Sequence, residues 1–185
     1  MDTSDFRNGI TIVMDNDIYM IVEFQHVKPG KGGAFVRSSL RNIRNGRVID
    51  KTWRAGERME QAILERRAMQ YLYNEGGDYY LMDPESFEQI AVSKDQIGSG
   101  IKYLKENMEL TVVTHKDQII GIETPSFVEL EVTDTAGSER GDTASGGGKP
   151  ATVETGATVT VPFFVKVGDK IKIDTRTDQY LERVK

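Results

Sequence analysis

The sequence predicts an all-β chain of three small β barrels in series. Three observations carry that prediction. Short apolar runs recur throughout, separated by clusters of Gly, Asn, Asp and Pro. Helical spacing is found in one stretch, Asp95–Asn107, where Ile97, Ile101 and Leu104 share a face and Gly98 and Gly100 interrupt it. The strand pattern also restarts twice, which divides the chain into residues 1–64, 65–127 and 128–185.

In the first segment, Ile10–Met14 alternates, Asp15-Asn16-Asp17 turns the chain, and Ile18–Phe24 follows. Ala34–Leu40 is the next strand, and Asn45-Gly46 is a strong hairpin signal before Val48–Trp53 and Met59–Leu64. Five or six strands in so short a segment fit a small SH3-like barrel. In the second segment, Glu65–Tyr73, Tyr79–Asp83, Phe87–Val92, Leu110–Val113 and Gln118–Glu123 read as strands, with turns at 74–78, Pro84-Glu85-Ser86 and His115-Lys116-Asp117. Strands around one short, broken helix fit an OB-type barrel. The third segment repeats the style with Phe127–Val132, Ala151–Glu154, Thr158–Phe164 and Lys170–Asp174, a turn at Gly168-Asp169, and a polar, glycine-rich loop over Ala136–Pro150.

The composition excludes several functions. The chain has 185 residues with 38% hydrophobic and 29% charged content, as expected for a soluble globular protein. No apolar run approaches the roughly 20 residues of a membrane span, and the acidic start Met1-Asp2-Thr3-Ser4-Asp5 is unlike a secretory signal. With no cysteine there is no disulfide, thiolate nucleophile or zinc–sulfur site, which is compatible with a reducing cytosol. The net charge is −5, but its distribution is lopsided. Residues 25–58 carry nine bases against Asp50 and Glu57, a balance of +7, so the remainder holds −12. A basic region beside an acidic body suits docking into a phosphate-rich site in one orientation.

The densest chemistry lies in the stretch from His26 to Arg37. It reads as a hairpin loop between two strands. Pro29 presets φ and Gly30 supplies a positive φ for a type II turn. Lys28 and Lys31 stand in this loop, and Gly32 and Gly33 leave Lys31 bare at its tip. A long amine on a narrow backbone finger can enter a space too tight for a globular surface. The pattern GxxxxGK[ST] of a phosphate-binding loop is not met, since Gln25 stands where its first glycine belongs. His26 and His115 lack the neighbours of a triad or a metal site, so no catalytic, metal or cofactor residues are assigned. Lys28, Arg37, Arg41, Arg44 and Arg54 are the candidates for gripping an RNA backbone. Tyr71, Tyr73, Tyr79 and Tyr80 are offered to base stacking or to the core, with the core favoured.

Beyond these readings, Lys28-Pro29-Gly30-Lys31-Gly32 through Ala34-Phe35-Val36-Arg37 resembles the tip loop of the bacterial elongation factor P family. So do Asp5–Gly9, Phe24–Val27, Arg54–Glu57, Met69–Tyr73, Met82-Asp83, Gly141–Ala144, Lys149–Gly156, Val161–Phe164 and Ile173–Arg176, in order along the chain. The resemblance implies a KOW-like, SH3-type domain followed by two OB domains in an L shape like tRNA. It implies a cytoplasmic, monomeric, non-enzymatic translation factor bound to the 70S ribosome between the peptidyl-tRNA and exit sites. Its partners would be peptidyl-tRNA, ribosomal RNA and an enzyme that modifies Lys31, with no membrane and no cofactor. The modified Lys31 would steady the CCA end and relieve stalling at consecutive prolines. Tyr180 and Arg183 match C-terminal positions that face RNA in the family. Three places depart from the family pattern: Ala136 for a frequent Pro, Gly147-Gly148 near a common Thr, and Asp178 for a usual Gly. A general RNA-binding adaptor with an unmodified tip is the alternative reading.

Overall fold

The computed structural model describes residues 1–137 and 147–184. The centre of the loop expected over Ala136–Pro150, including Gly141–Ala144, lies outside the described residues. By the density of its internal packing the chain forms two compact units, residues 1–67 with 112–121, and residues 68–111 with 122–185.

The chain is mostly β. A five-stranded sheet runs in the order β4-β3-β2-β1-β5, from β1 (Thr11–Met14), β2 (Asp17–Val27), β3 (Phe35–Asn42), β4 (Val48–Arg54) and β5 (Glu60–Gln61). Antiparallel hairpins join its first four strands. Asp15 and Asn16, at φ 52° and 61°, form the two-residue turn between β1 and β2. The turn after β3 is built by buried Asn42, whose Oδ1 accepts from the N–H groups of Arg44 (2.8 Å) and Asn45 (3.1 Å). Strict alternation on β3 buries Val36, Ser38, Leu40 and Asn42 and turns Arg37 and Arg41 outward. Phe6, Ile12, Ile21, Val36, Leu40 and Trp53 make the core, each side chain contributing about 1.5–3 kcal/mol by leaving water. The buried hydroxyl of Ser38 is satisfied, accepting from Trp53 Nε1 at 2.8 Å.

A second sheet has the order β10-β9-β6-β7-β8, from β6 (Glu65–Glu75), β7 (Asp78–Met82), β8 (Gln89–Ser93), β9 (Glu109–His115) and β10 (Gln118–Glu123). Between β8 and β9 stands the expected broken helix, one turn of α-helix, α1 (Lys94–Ile97), then a 3₁₀ stretch, Gly98–Tyr103, which ends before Leu104 and short of the expected Asn107. Gly100 is required there, because a Cβ would lie 2.6 Å from Thr124 Cγ2. A third, closed barrel has the order β11-β12-β13-β15-β14, from β11 (Phe127–Thr135), β12 (Lys149–Val153), β13 (Thr158–Val161), β14 (Lys170–Asp174) and β15 (Gln179–Val184). Its core includes Leu130, Val132, Val153, Val161, Val165, Ile171 and Ile173, together with Tyr103.

Four elements differ from expectation. The strand expected over Met59–Leu64 shrinks to Glu60–Gln61, because β1 offers it pairing at Ile12 and Val13 alone. The strand expected from Phe87 starts at Gln89, and Phe87 belongs to the preceding turn at φ 60°. The strand expected over Thr158–Phe164 stops at Val161, since Pro162 has no N–H to offer the ladder. Strand β15 was not expected at all. Its burial pattern is nearly all exposed, so it lacks apolar alternation, and it forms by pairing with β14.

Candidate tip loop and nucleic-acid interface

The finger is the end of a three-stranded ladder. Pairing of β2 with β3 runs from Tyr19↔Asn42 to Val27↔Phe35, and β4 reaches the same level with Phe35↔Arg54. Ala55 N–H then donates to Ala34 O at 3.1 Å, and pairing ends. Residues 28–33 continue alone, and 28–34 are all exposed. Among the described residues, no hydrogen bond or ion pair engages Lys28 or Lys31. The type II turn expected at Pro29-Gly30 is not formed. Gly30 keeps a negative φ, the chain merely bends over residues 30–32, and the left-handed conformation falls on Gly32 at φ 105°. Without a hydrogen-bonded turn, the loop's direction is set at its base.

That base is stiffened by an aromatic series that sequence reasoning missed. Trp53 meets Phe6 at 5.8 Å between ring centroids, Phe6 meets Phe24 at 6.2 Å, and Phe24 meets His26 at 5.6 Å, each at an interplanar angle of 89°. Edge-to-face pairs of this kind contribute about 0.5–1.5 kcal/mol each beyond burial. The series runs from the core to the last residue pairs before the loop. The alternation of Phe24 and His26 on one strand was the available signal, but the partners came from elsewhere in the chain.

The structure divides the predicted arginines. Arg37 and Arg54 flank the loop base: Arg37 pairs with Gln25 and Thr52, and Arg54 pairs with Phe35. Arg37 Cζ lies 5.3 Å from the centre of the Phe35 ring. Arg41 sits four residues further along β3, about 13 Å away at strand rise. Arg44 lies in the following turn, 4.0 Å from Asp17 Oδ1. Arg41 and Arg44 therefore belong to the end of the hairpin opposite Lys31. Between the two ends, the outer face of β2–β4 forms a groove of about 430 Å³ lined by Glu23, Gln25, Arg37, Ser39, Asp50 and Thr52 among others. Two carboxylates on that face leave it mixed rather than purely basic.

Tyr180 and Arg183 lie on β15. Tyr180 is half-buried against the third barrel's core. Arg183 is exposed, 3.6 Å from Asp169 Oδ2, with its Cζ 5.6 Å from the Phe164 ring centre. Of the four other tyrosines, Tyr71 is buried, Tyr79 and Tyr80 are half-buried and Tyr73 is exposed. His115 Nδ1 is 2.9 Å from Ile63 O. Asp178, one of the departures from the family pattern, sits at φ 59° and accepts from Lys102 Nζ at 2.7 Å and from the buried Tyr103 hydroxyl at 2.8 Å. The Lys102 and Tyr103 hydrogen bonds hold the Asp178 carboxyl below its usual range. Burial, with the bond to Asp178, pushes the Tyr103 phenol up. Nearby, Arg176 makes a bidentate pair with Asp174 (3.0 and 2.7 Å) that holds the carboxyl at about 2. These groups build the joint and the turn of the barrel. Among the described residues, no group of three His, Cys, Asp or Glu could hold a metal ion.

β sheets carrying an exposed lysine finger define a β-rich class of chain, and solved structures extend the comparison. Translation initiation factor 5A from Methanococcus jannaschii matches with a TM-score of 0.53 at 23% identity, over 66% of this chain and 94% of its own. An initiation factor 5A family protein from Naegleria fowleri matches at 0.51 and 18%, over 66% and 96%. These likenesses establish the fold. Family models then match in order: the elongation factor P KOW-like domain over residues 2–59, its OB domain over 64–122 and its C-terminal domain over 128–183. Elongation factor P of Pelotomaculum thermopropionicum is 58% identical over 184 residues, and that of Carboxydothermus hydrogenoformans 56%, each across 100% of both chains. The chain belongs to the elongation factor P family and is a translation factor.

Proposed function

We propose that the protein binds the 70S ribosome between the peptidyl-tRNA and exit sites and speeds peptide bonds that consecutive prolines make slow. Lys31 reaches the CCA end of peptidyl-tRNA, in a form lengthened by a modifying enzyme, and holds it ready for attack. The factor supplies no acid, base or nucleophile, and the ribosome does the chemistry. What supports this reading is the loop of residues 28–34, exposed throughout, with Lys31 unengaged at its end. Arg37, Arg54 and Lys28 at the near end would grip ribosomal RNA or tRNA backbone. Arg41 and Arg44 would serve a second contact, and Tyr180 and Arg183 a third. Domain boundaries at 64/65 and 127/128 fit this division of labour, as do a monomeric state and a cytoplasmic location.

The gain is one of orientation. Polyproline chains disfavour the reactive pose, and restricting the tRNA end to an attack-ready geometry removes part of the entropic barrier. An effect of about 1.4 kcal/mol is already tenfold in rate. Reconstituted translation of a template with three consecutive proline codons tests the reading. Native protein should raise the rate of full-length product, and Lys31→Ala should not. Equal stimulation by both would remove Lys31 from the mechanism. Intact-mass measurement of the native Lys31 peptide tests the modification, and an unchanged mass would favour an unmodified tip.

A further inference from the structure

The outer face of β6–β7–β8 carries features that the translation role leaves unused. Tyr73 pairs with Tyr80 across the ladder, and their rings stack at 4.8 Å and 21°. Tyr73 is 46% exposed, whereas Tyr71 and Leu81, which face the other way, are buried. Beyond the end of β7, Phe87 is 70% exposed at φ 60°, a conformation that bulky side chains rarely take. The turn that imposes it is tightly built. Asp83 Oδ1 accepts from the N–H groups of Glu85 (2.8 Å) and Ser86 (3.1 Å), Asp83 O accepts from Phe87 N–H at 2.9 Å, and Asp83 N–H donates to Glu88 O at 2.9 Å. Asn or Gly would adopt this backbone at less cost. The aromatic ring is nevertheless present and faces water.

The charge around these rings selects the occupant. Residues 65–95 hold Glu65, Glu75, Asp78, Asp83, Glu85, Glu88 and Asp95 against Arg66, Arg67 and Lys94, a balance of −4, with Asp83 itself taken up by the turn. Phosphate backbones and anionic lipid surfaces are repelled there. Guanidinium and ammonium groups are attracted, and they also stack on the faces of tyrosine and phenylalanine. We propose that this face and the adjoining 83–88 turn dock a lysine- and arginine-rich protein segment, with Tyr73, Tyr80 and Phe87 as stacking surfaces and the exposed carboxylates of Glu75, Asp78, Glu85 and Glu88 as ion partners. The surface shares no residue with the Lys31 loop, and its test needs no ribosome.

The test titrates the full-length, isotope-labelled protein with a 12-residue peptide of alternating Arg and Gly and follows backbone amide shifts by NMR. Shifts should cluster on residues 73–93. Combining Tyr73→Thr with Phe87→Asn, which leaves every carboxylate in place, should weaken binding about tenfold by removing two cation–π contacts. Phe87→Asn alone, which relieves the turn, should weaken it about threefold while the remaining amide spectrum stays native. Four results would overturn the proposal: unchanged affinity in both variants, shifts spread over other acidic surfaces, a uridine oligonucleotide moving the same amides, or the same amides moving with protein concentration alone.

Discussion

Two loops of this molecule hold Lys31 and Phe87 out in solvent, and they do so by opposite means. The loop of residues 28–34 has no internal hydrogen bond that is described, and it places its one left-handed residue on Gly32. The turn from Asp83 to Glu88 is stapled by one buried carboxylate and places a left-handed conformation on Phe87. The first loop is unpaired over residues 28–33 and rigid only beneath, where Phe24, Phe6 and Trp53 meet edge to face. The second is rigid in itself. A finger that must find the end of a flexible tRNA benefits from reach, while a ring that offers a face to a partner benefits from being fixed. Stiffness therefore sits under the lysine and around the phenylalanine.

The largest expected effect lies at the first loop. Lys31→Ala should lose most of the stimulation of proline-run synthesis, at least the tenfold equivalent of about 1.4 kcal/mol. Its thermal midpoint should stay that of the parent, because an exposed side chain without partners contributes within about 0.5 kcal/mol. Calorimetry beside the translation assay separates the two quantities. A large fall in midpoint would mean that the loop is packed after all. At the second loop the pattern should invert. Asp83→Ala removes the acceptor of two turn N–H groups and should lower stability by about 0.5–1.5 kcal/mol in denaturant titration. It should leave proline-run synthesis unchanged at temperatures where the fold persists.

How much of this was legible beforehand follows the same division. Strands with an apolar alternation, such as Phe35–Asn42, and turns with Asn-Gly or Asp-Asn were readable because their signals are local. The broken helix was readable because Gly98 and Gly100 interrupt an otherwise helical face. Strand β15 was not, since its residues alternate in neither charge nor polarity and pairing with β14 defines it. At the candidate site, Lys31 stood out as a long amine between glycines. The division of Arg37 and Arg54 from Arg41 and Arg44 required the register of three strands. The aromatic series beneath the loop likewise joins residues 6, 24, 26 and 53, which no sequence window contains. The expected strand start at Phe87 failed because the Asp83 staple extends the turn through that residue.

Gly32→Ala should act more weakly than either change above. A Cβ at φ 105° is disfavoured by about 1 kcal/mol, although 3.9 Å remains to Pro29 Cγ. Because nothing packs on the loop, the chain can bend elsewhere, so denaturation should register little. The assay should instead show a partial loss, as Lys31 is redirected in part of the population. Full activity would mean that the left-handed residue is incidental to the direction of the finger.

The smallest effect is a gain. Phe87→Asn exchanges an aromatic ring for a side chain that tolerates φ near 60°, and the ring's 70% exposure means that little packing is lost. Relief of the left-handed conformation should raise stability by a few tenths to about 1 kcal/mol. Matched denaturation curves of parent and variant read this directly, provided the slopes agree. A loss of stability would show that the Phe87 ring is held by packing within the fold. The contrast between a tense turn and a relaxed finger would then fail at its second member. A gain would place the ring's value outside the folded chain, where a partner can use it.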